Sequence, residues 1–164
     1  MSKIIYSADL CTGCRACELA CSFISEGNFA PAKSRIRVIR MDEDGIDVPI
    51  GCLHCEDAPC MMVCPVKAIK RHAETQAVII DYDTCIGCKE CVIICPFGAI
   101  QYDEQKRLLY KCDLCQGEPE CVKWCYTGAI KYAKDVNQVI HKKQRKAALK
   151  IARASEGARK TINT

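Results

Sequence analysis

A chain of 164 residues with 16 cysteines is either a disulfide scaffold or a metal protein. The opening run MSKIIYSADLC has no apolar stretch and no cleavage site, which argues against an oxidising compartment and predicts a cytoplasmic protein. The formal charge of +4 is concentrated at one end, with nine Lys/Arg against two Asp/Glu from Lys134 onward, so the acidic remainder is no nucleic-acid-binding body.

The hydrophobic fraction of 49% counts every cysteine. Without them it falls to roughly 39%, below the ~45–50% of an ordinary globular chain. Ligation must supply the missing cohesion, and the metal-free chain is expected to be largely unfolded. No apolar run approaches the ~18 residues of a membrane span.

In chain order, the first cysteine run is CTGCRACELAC, with Cys11, Cys14, Cys17 and Cys21 at C-x2-C-x2-C-x3-C and Ser22 after the last. Next, KSRIRVIRM (33–41) and GIDVPI (45–50) flank the acidic turn Asp42-Glu43-Asp44-Gly45 and predict a β-hairpin, with Arg35 and Arg37 on a solvated face opposite Ile36 and Val38. The second run, CLHCEDAPCMMVCP, places Cys52, Cys55, Cys60 and Cys64 before Pro65. His54 stands between two ligand positions and reads as a donor to sulfur rather than as a ligand, because four cysteines are already present. AIKR and AVIID (68–71, 77–81) predict a second hairpin.

The third run is DTCIGCKECVIICPFGAI, in which Cys85, Cys88, Cys91 and Cys95 repeat the first spacing and Pro96 follows. This is a 4Fe-4S ligand run. Three thiolates two residues apart wrap three corners of a cubane in one tight loop, which Gly13 and Gly87 help to turn, and the fourth cysteine points away toward a second cluster. Zinc knuckles and disulfides both fit this spacing badly. A third hairpin, IQYD with LLYK, leads to Cys112, Cys115, Cys121 and Cys125 at C-x2-C-x5-C-x3-C. Trp124 reads equally as a water shield or a core residue, and Tyr82, Tyr102, Tyr110, Tyr126 and Tyr132 read as strand and packing residues.

The phrases PVKAI, PFGAI and YTGAI follow three of the fourth cysteines, marking an internal repeat of loop, helical turn and strand. The expected fold is therefore α+β: two nested bacterial-ferredoxin-type modules around four 4Fe-4S clusters, with a C-terminal helical tail. The four-cluster domain spans 1–133, with an outer module (1–50 with 105–133) and an inner one (51–104). The basic segment 134–164 is expected to form a helix with a thin apolar stripe and to act as a docking tail. Four runs allow three pairings. Pro after the last cysteine in the middle two runs, and its absence from the outer two, favours middle with middle and outer with outer.

CLHCEDAPCMMVCPVKAI, DYDTCIGCKECVIICPFGAI and the Lys before CDLC at 111–115 resemble the four-cluster electron-transfer subunits of molybdenum- and tungsten-pterin oxidoreductases, hydrogenases and carbon monoxide dehydrogenases. The resemblance covers residues 5–133. The brief insertions and the short loop between Cys115 and Cys121 look most like the small iron-sulfur subunit of tungsten aldehyde oxidoreductase or of benzoyl-CoA reductase complexes. It implies one cluster on Cys11, Cys14, Cys17 and Cys125, and another on Cys112, Cys115, Cys121 and Cys21. The other two would use Cys52, Cys55, Cys60 with Cys95, and Cys85, Cys88, Cys91 with Cys64.

The expected function is an electron conduit with no catalytic site of its own. It would relay single electrons between a tungsten- or molybdenum-pterin catalytic subunit and a flavin/NAD or ferredoxin partner, with further copies of the chain as another neighbour. No G-x-G-x-x-G occurs and no cysteine remains as a nucleophile, which disfavours a complete redox enzyme. A hydrogenase or carbon monoxide dehydrogenase partner is the alternative, and a non-redox cluster scaffold is the weaker one.

Overall fold

The computed structural model describes residues 3–133. The expected helix and docking tail of 134–164 lie outside the described residues. Among the described residues the secondary structure comprises four two-stranded antiparallel ladders, four α-helices and three short 3-10 helices. The three expected hairpins form: β2 (Ile36–Met41) with β3 (Ile46–Gly51), β4 (Ile69–Arg71) with β5 (Val78–Ile80), and β6 (Ile100–Asp103) with β7 (Leu108–Lys111). The fourth ladder was not foreseen. It joins β1 (Lys3–Tyr6) to β8 (Ile130–Ala133), with Ile4 opposite Tyr132 and Tyr6 opposite Ile130. This pairing closes the described chain on itself and brings its first and last cysteine runs together.

Each cysteine run feeds a helix: α1 (Ala16–Glu26), α2 (Pro59–Met62), α3 (Glu90–Ile94) and α4 (Glu120–Lys123). That α1 outruns α2 and α3 follows from the residue after the fourth cysteine. Pro65 and Pro96 cannot continue a helix and disfavour helical backbone in the residue before them. At the corresponding place α1 has Ser22, so it runs on to Gly27, whose left-handed φ of 74° closes the helix with its N–H on the Phe23 carbonyl at 2.9 Å.

Two apolar cores result. Ile4, Ile36, Val38, Ala77, Leu114 and Ile130 pack in one with Cys17 and Cys121. Ala58, Ile69, Val78, Ile80, Ile100 and Leu109 pack in the other with Cys60 and Cys91. The cores meet at β5, where Ala77 belongs to one and Val78 to the next.

Several side chains depart from expectation. Arg35 and Arg37 do not lie on a solvated face; they tie the first hairpin to later segments. Arg35 pairs with Asp113 at 2.7 Å, and Arg37 donates to Gln101 Oε1 and to the Ala32 carbonyl. Trp124 is 48% exposed and so is not a core residue, and Tyr126, at 75%, is not a packing residue but bonds Thr12 across the joined ends at 2.9 Å.

Candidate metal centres

The four cysteine loops share one backbone device. In each C-x-x-C the second intervening residue is left-handed: Gly13 (φ 67°), His54 (φ 47°), Gly87 (φ 70°) and Leu114 (φ 64°). Glycine adopts this region at no steric cost, whereas His and Leu need compensation. They find it in burial, since His54 is 1% and Leu114 0% exposed. At Gly13 a Cβ would also lie 2.5 Å from the Asp47 carboxylate, which would have to swing aside.

Folding brings the sixteen thiols into four groups, each lining its own cavity. Cys11, Cys14, Cys17 and Cys125 line one, and Cys21, Cys112, Cys115 and Cys121 line a second and much larger cavity of about 580 Å³. Cys52, Cys55, Cys60 and Cys95 share a third; Cys64, Cys85, Cys88 and Cys91 share a fourth. The spacing of the last two cysteines in each run accounts for the exchange between runs. Cys17 and Cys21 are four residues apart in the α1 run, and so are Cys60 and Cys64, Cys91 and Cys95, and Cys121 and Cys125. In α1, which holds both Cys17 and Cys21, one turn separates the two by about 5–6 Å along one face; α2, α3 and α4 end before Cys64, Cys95 and Cys125, so there the segment just past the helix carries the last cysteine to the neighbouring cavity.

Backbone N–H groups are aimed at the sulfurs. Arg35 donates to Cys21 Sγ (3.3 Å), His54 to Cys52 (3.4 Å), Ala68 to Cys64 (3.2 Å), Ala99 to Cys95 (3.4 Å) and Leu114 to Cys112 (3.4 Å). Ala68 and Ala99 are the alanines of PVKAI and PFGAI, and the turns that present them pass through left-handed Lys67 (φ 53°) and Gly98 (φ 57°). In YTGAI, Thr127 stands between: Ala129 N–H reaches Thr127 Oγ1, which lies 3.6 Å from Cys125 Sγ. Burial would raise the Cys125 thiol, but the Thr127 hydroxyl and the amides of Ile130, Ala129 and Gly128 outweigh it and hold the thiol below its ordinary range.

Elsewhere burial wins. It pushes Cys17 up to about 12, helped by the adjacent Glu18 carboxylate, and Cys91 up to about 11, helped by Cys88. The Cys112 and Cys121 thiols are likewise raised by burial. Thiolates crowded in low dielectric need a compensating positive charge, which bound iron provides. All sixteen cysteines are free. Among the described residues no three His, Cys, Asp or Glu side chains converge tightly enough for a single metal ion. A zinc site needs four ligands within about 2.3 Å of one centre. Quartets spread around a cavity, with amides directed at sulfur, instead fit a polynuclear iron-sulfur cluster.

Three side chains that support these loops escaped the sequence reading. Glu18, 5% exposed, accepts the Val38 amide at 2.7 Å and so fastens α1 to β2. Lys111, 3% exposed, donates to the Val78 and Cys112 carbonyls. Asp113 caps the turn at Cys115, accepting its amide at 3.0 Å, and anchors Arg35. An acidic residue one position after Cys17 and a lysine one before Cys112 are visible in the sequence, but their burial is not.

The family described as 4Fe-4S dicluster domain matches residues 44–135, and the 4Fe-4S binding domain matches residues 8–24. The polyferredoxin-like subunit of aliphatic sulfonate oxidoreductase from Pyrococcus furiosus is 43% identical over 93 residues, covering 57% of this chain and 53% of that protein. Formate hydrogenlyase subunit 2 of Escherichia coli is 41% identical over 105 residues, covering 64% of this chain and 50% of that protein. The chain thus spans about half the length of these relatives. A solved structure, the active site complex BamBC of benzoyl coenzyme A reductase with zinc, is 29% identical with a TM-score of 0.49, covering 81% of this chain and 78% of that one. Among the described residues no helix is long and apolar enough to cross a membrane.

Proposed function

This chain belongs to the 4Fe-4S dicluster domain family and binds iron-sulfur clusters, and from that premise we propose that it is an electron-transfer subunit carrying four 4Fe-4S clusters. The observation that carries this reading is the sorting of sixteen cysteines into four cavities of four. We assign Cys11, Cys14, Cys17 and Cys125 to one cluster; Cys21, Cys112, Cys115 and Cys121 to the second; Cys52, Cys55, Cys60 and Cys95 to the third; and Cys64, Cys85, Cys88 and Cys91 to the fourth. Bound clusters supply reversible one-electron chemistry.

The protein's residues do the rest. The thiolates hold the iron, the amides of Arg35, His54, Ala68, Ala99 and Leu114 steady the sulfurs, and the two cores exclude water. The runs whose last two cysteines serve different quartets set the order of the sites. They join the first quartet to the second and the third to the fourth, and Cys52 lies close enough to raise the Cys112 thiol further, which joins the second to the third. In the two terminal quartets one cysteine is exposed, Cys14 at one end and Cys88 at the other. These exposed loops are the places for exchange with partners.

The partner at one end is a catalytic oxidoreductase subunit, and the sequence resemblance favours a tungsten- or molybdenum-pterin enzyme, with a flavin/NAD subunit or ferredoxin at the other. The basic segment 134–164 is the docking segment in this reading, because its charge complements an acidic, cluster-loaded surface. Similarity to formate hydrogenlyase subunit 2 supports a second reading, a hydrogenase partner. Anaerobic purification of the native complex, with iron, sulfide, tungsten, molybdenum, nickel and flavin analysis, tests both. About sixteen iron and sixteen sulfide per chain are expected, and stoichiometric zinc with little iron would refute the proposal. Tungsten or molybdenum in the complex selects the first partner and nickel the second.

A further inference from the structure

The backbone of Val78, where the two cores meet, is held at both its N–H and its carbonyl by buried polar side chains. Its N–H donates to His54 Nδ1 at 2.9 Å, and its carbonyl accepts from Lys111 Nζ, which also donates to the Cys112 carbonyl at 2.9 Å. Since Nδ1 accepts, the ring proton of the neutral imidazole sits on Nε2. That Nε2 is buried and has no hydrogen-bond partner among the described residues. An orphaned buried donor is rare and calls for an acceptor.

Lys111 poses the same problem in charge. Two of its three ammonium protons go to carbonyls, and it joins none of the ion pairs among the described residues. A buried charge requires a counter-charge. Both side chains line the cavity of Cys52, Cys55, Cys60 and Cys95, and Lys111 directly precedes Cys112 of the neighbouring quartet. An oxidised cubane with four thiolates carries a net charge of roughly −2. It offers both the sulfur acceptor that Nε2–H lacks and the negative charge that Lys111 lacks.

We propose that His54 Nε2–H and the Lys111 ammonium form a donor-and-cation pair at the junction of the two central cluster sites. The pair is directed at the cluster of Cys52, Cys55, Cys60 and Cys95 and raises its reduction potential. The inference rests on the four-cluster reading above. Reduction adds one electron to that site, and a hydrogen bond to sulfur and a nearby cation both favour the more negative state. Neither residue gives up its proton. At the equivalent loop position the other three sites have Gly13, Gly87 and Leu114, none with a side-chain donor. His54 and Lys111 are positioning residues: they touch no substrate and set the energy of one electron step at the boundary between modules.

The test uses the full-length, cluster-loaded chain, titrated with dithionite under electron paramagnetic resonance. His54→Leu copies the residue that Leu114 already places in a left-handed loop, and Lys111→Met keeps the stem without the charge. In each variant one couple should move to lower potential while the others stay. A roughly tenfold fall in that cluster's reduced-to-oxidised ratio at fixed potential corresponds to about 59 mV for one electron. His54→Gln, which keeps a donor, should recover part of the shift. In unmutated protein carrying 15N-histidine, the reduced cluster should show hyperfine coupling to a histidine nitrogen.

Full iron content with unmoved potentials in both variants overturns the inference. If a variant loses iron, the labelled unmutated protein decides, and absence of any histidine coupling there overturns it. Absence of cubane signals from unmutated protein would instead overturn the four-cluster reading.

Discussion

The helix α1 offers a sharp test of how the cysteines are shared. Cys17 and Cys21 are one turn apart, yet they line different cavities, whereas Cys21 and Cys121 come from opposite ends of the described chain and line the same one. With about sixteen irons in four cubanes, Cys21→Ser removes one ligand of four and should lower the content to about twelve. Adding Cys121→Ser strips a second ligand from the same site, so the content should stay near twelve. Adding Cys17→Ser instead damages a second site, and iron should fall to about eight. Effects within one site saturate and effects across sites add. Iron and acid-labile sulfide are measured on anaerobically purified protein, with resonance spectra to identify the missing cluster. A Cys17→Ser/Cys21→Ser protein that retains about twelve irons, beside a Cys21→Ser/Cys121→Ser protein that retains about eight, would refute this sharing of ligands.

Glu18→Ala leaves the buried Val38 amide without its acceptor at 2.7 Å and should cost about 1–3 kcal/mol. It would be read as a lower guanidinium midpoint for loss of cluster absorbance, and Glu18→Gln should restore most of the loss. Lys67 is left-handed where the equivalent turns have Gly98 and Gly128. The strain relieved by Lys67→Gly, about 1–2 kcal/mol, exceeds the added unfolded-state entropy of roughly 0.5–1 kcal/mol, so the same midpoint should rise; a fall refutes the turn argument. Removing iron with chelator and reductant should abolish most of the far-ultraviolet circular dichroism, because the cores are thin without ligation. In the iron-free, largely unfolded chain the thiols hold protons that ligation must displace. Reloading should therefore tighten as pH rises and release protons to an indicator dye, whereas reloading that weakens toward pH ~8.5, the ordinary thiol range, would contradict this.

The parts of this protein legible in its sequence are those governed by short-range chemistry. Cysteine spacing marked the four loops, and turn residues between alternating apolar runs located three hairpins. The tertiary structure alone decided what depends on residues distant in the chain. The ladder of β1 with β8 joins segments some 125 residues apart, and neither strand carries a signal naming its partner. Arg35 and Arg37 alternate with apolar neighbours as any solvated strand face does, and only the later segments carrying Asp113 and Gln101 make them clamps. His54 and Lys111 are short-range puzzles for the same reason. A loop position that favours glycine holds a histidine, and a strand-end lysine is buried, because both face Val78 and a thiol-lined cavity that exist only once the two cores have packed together.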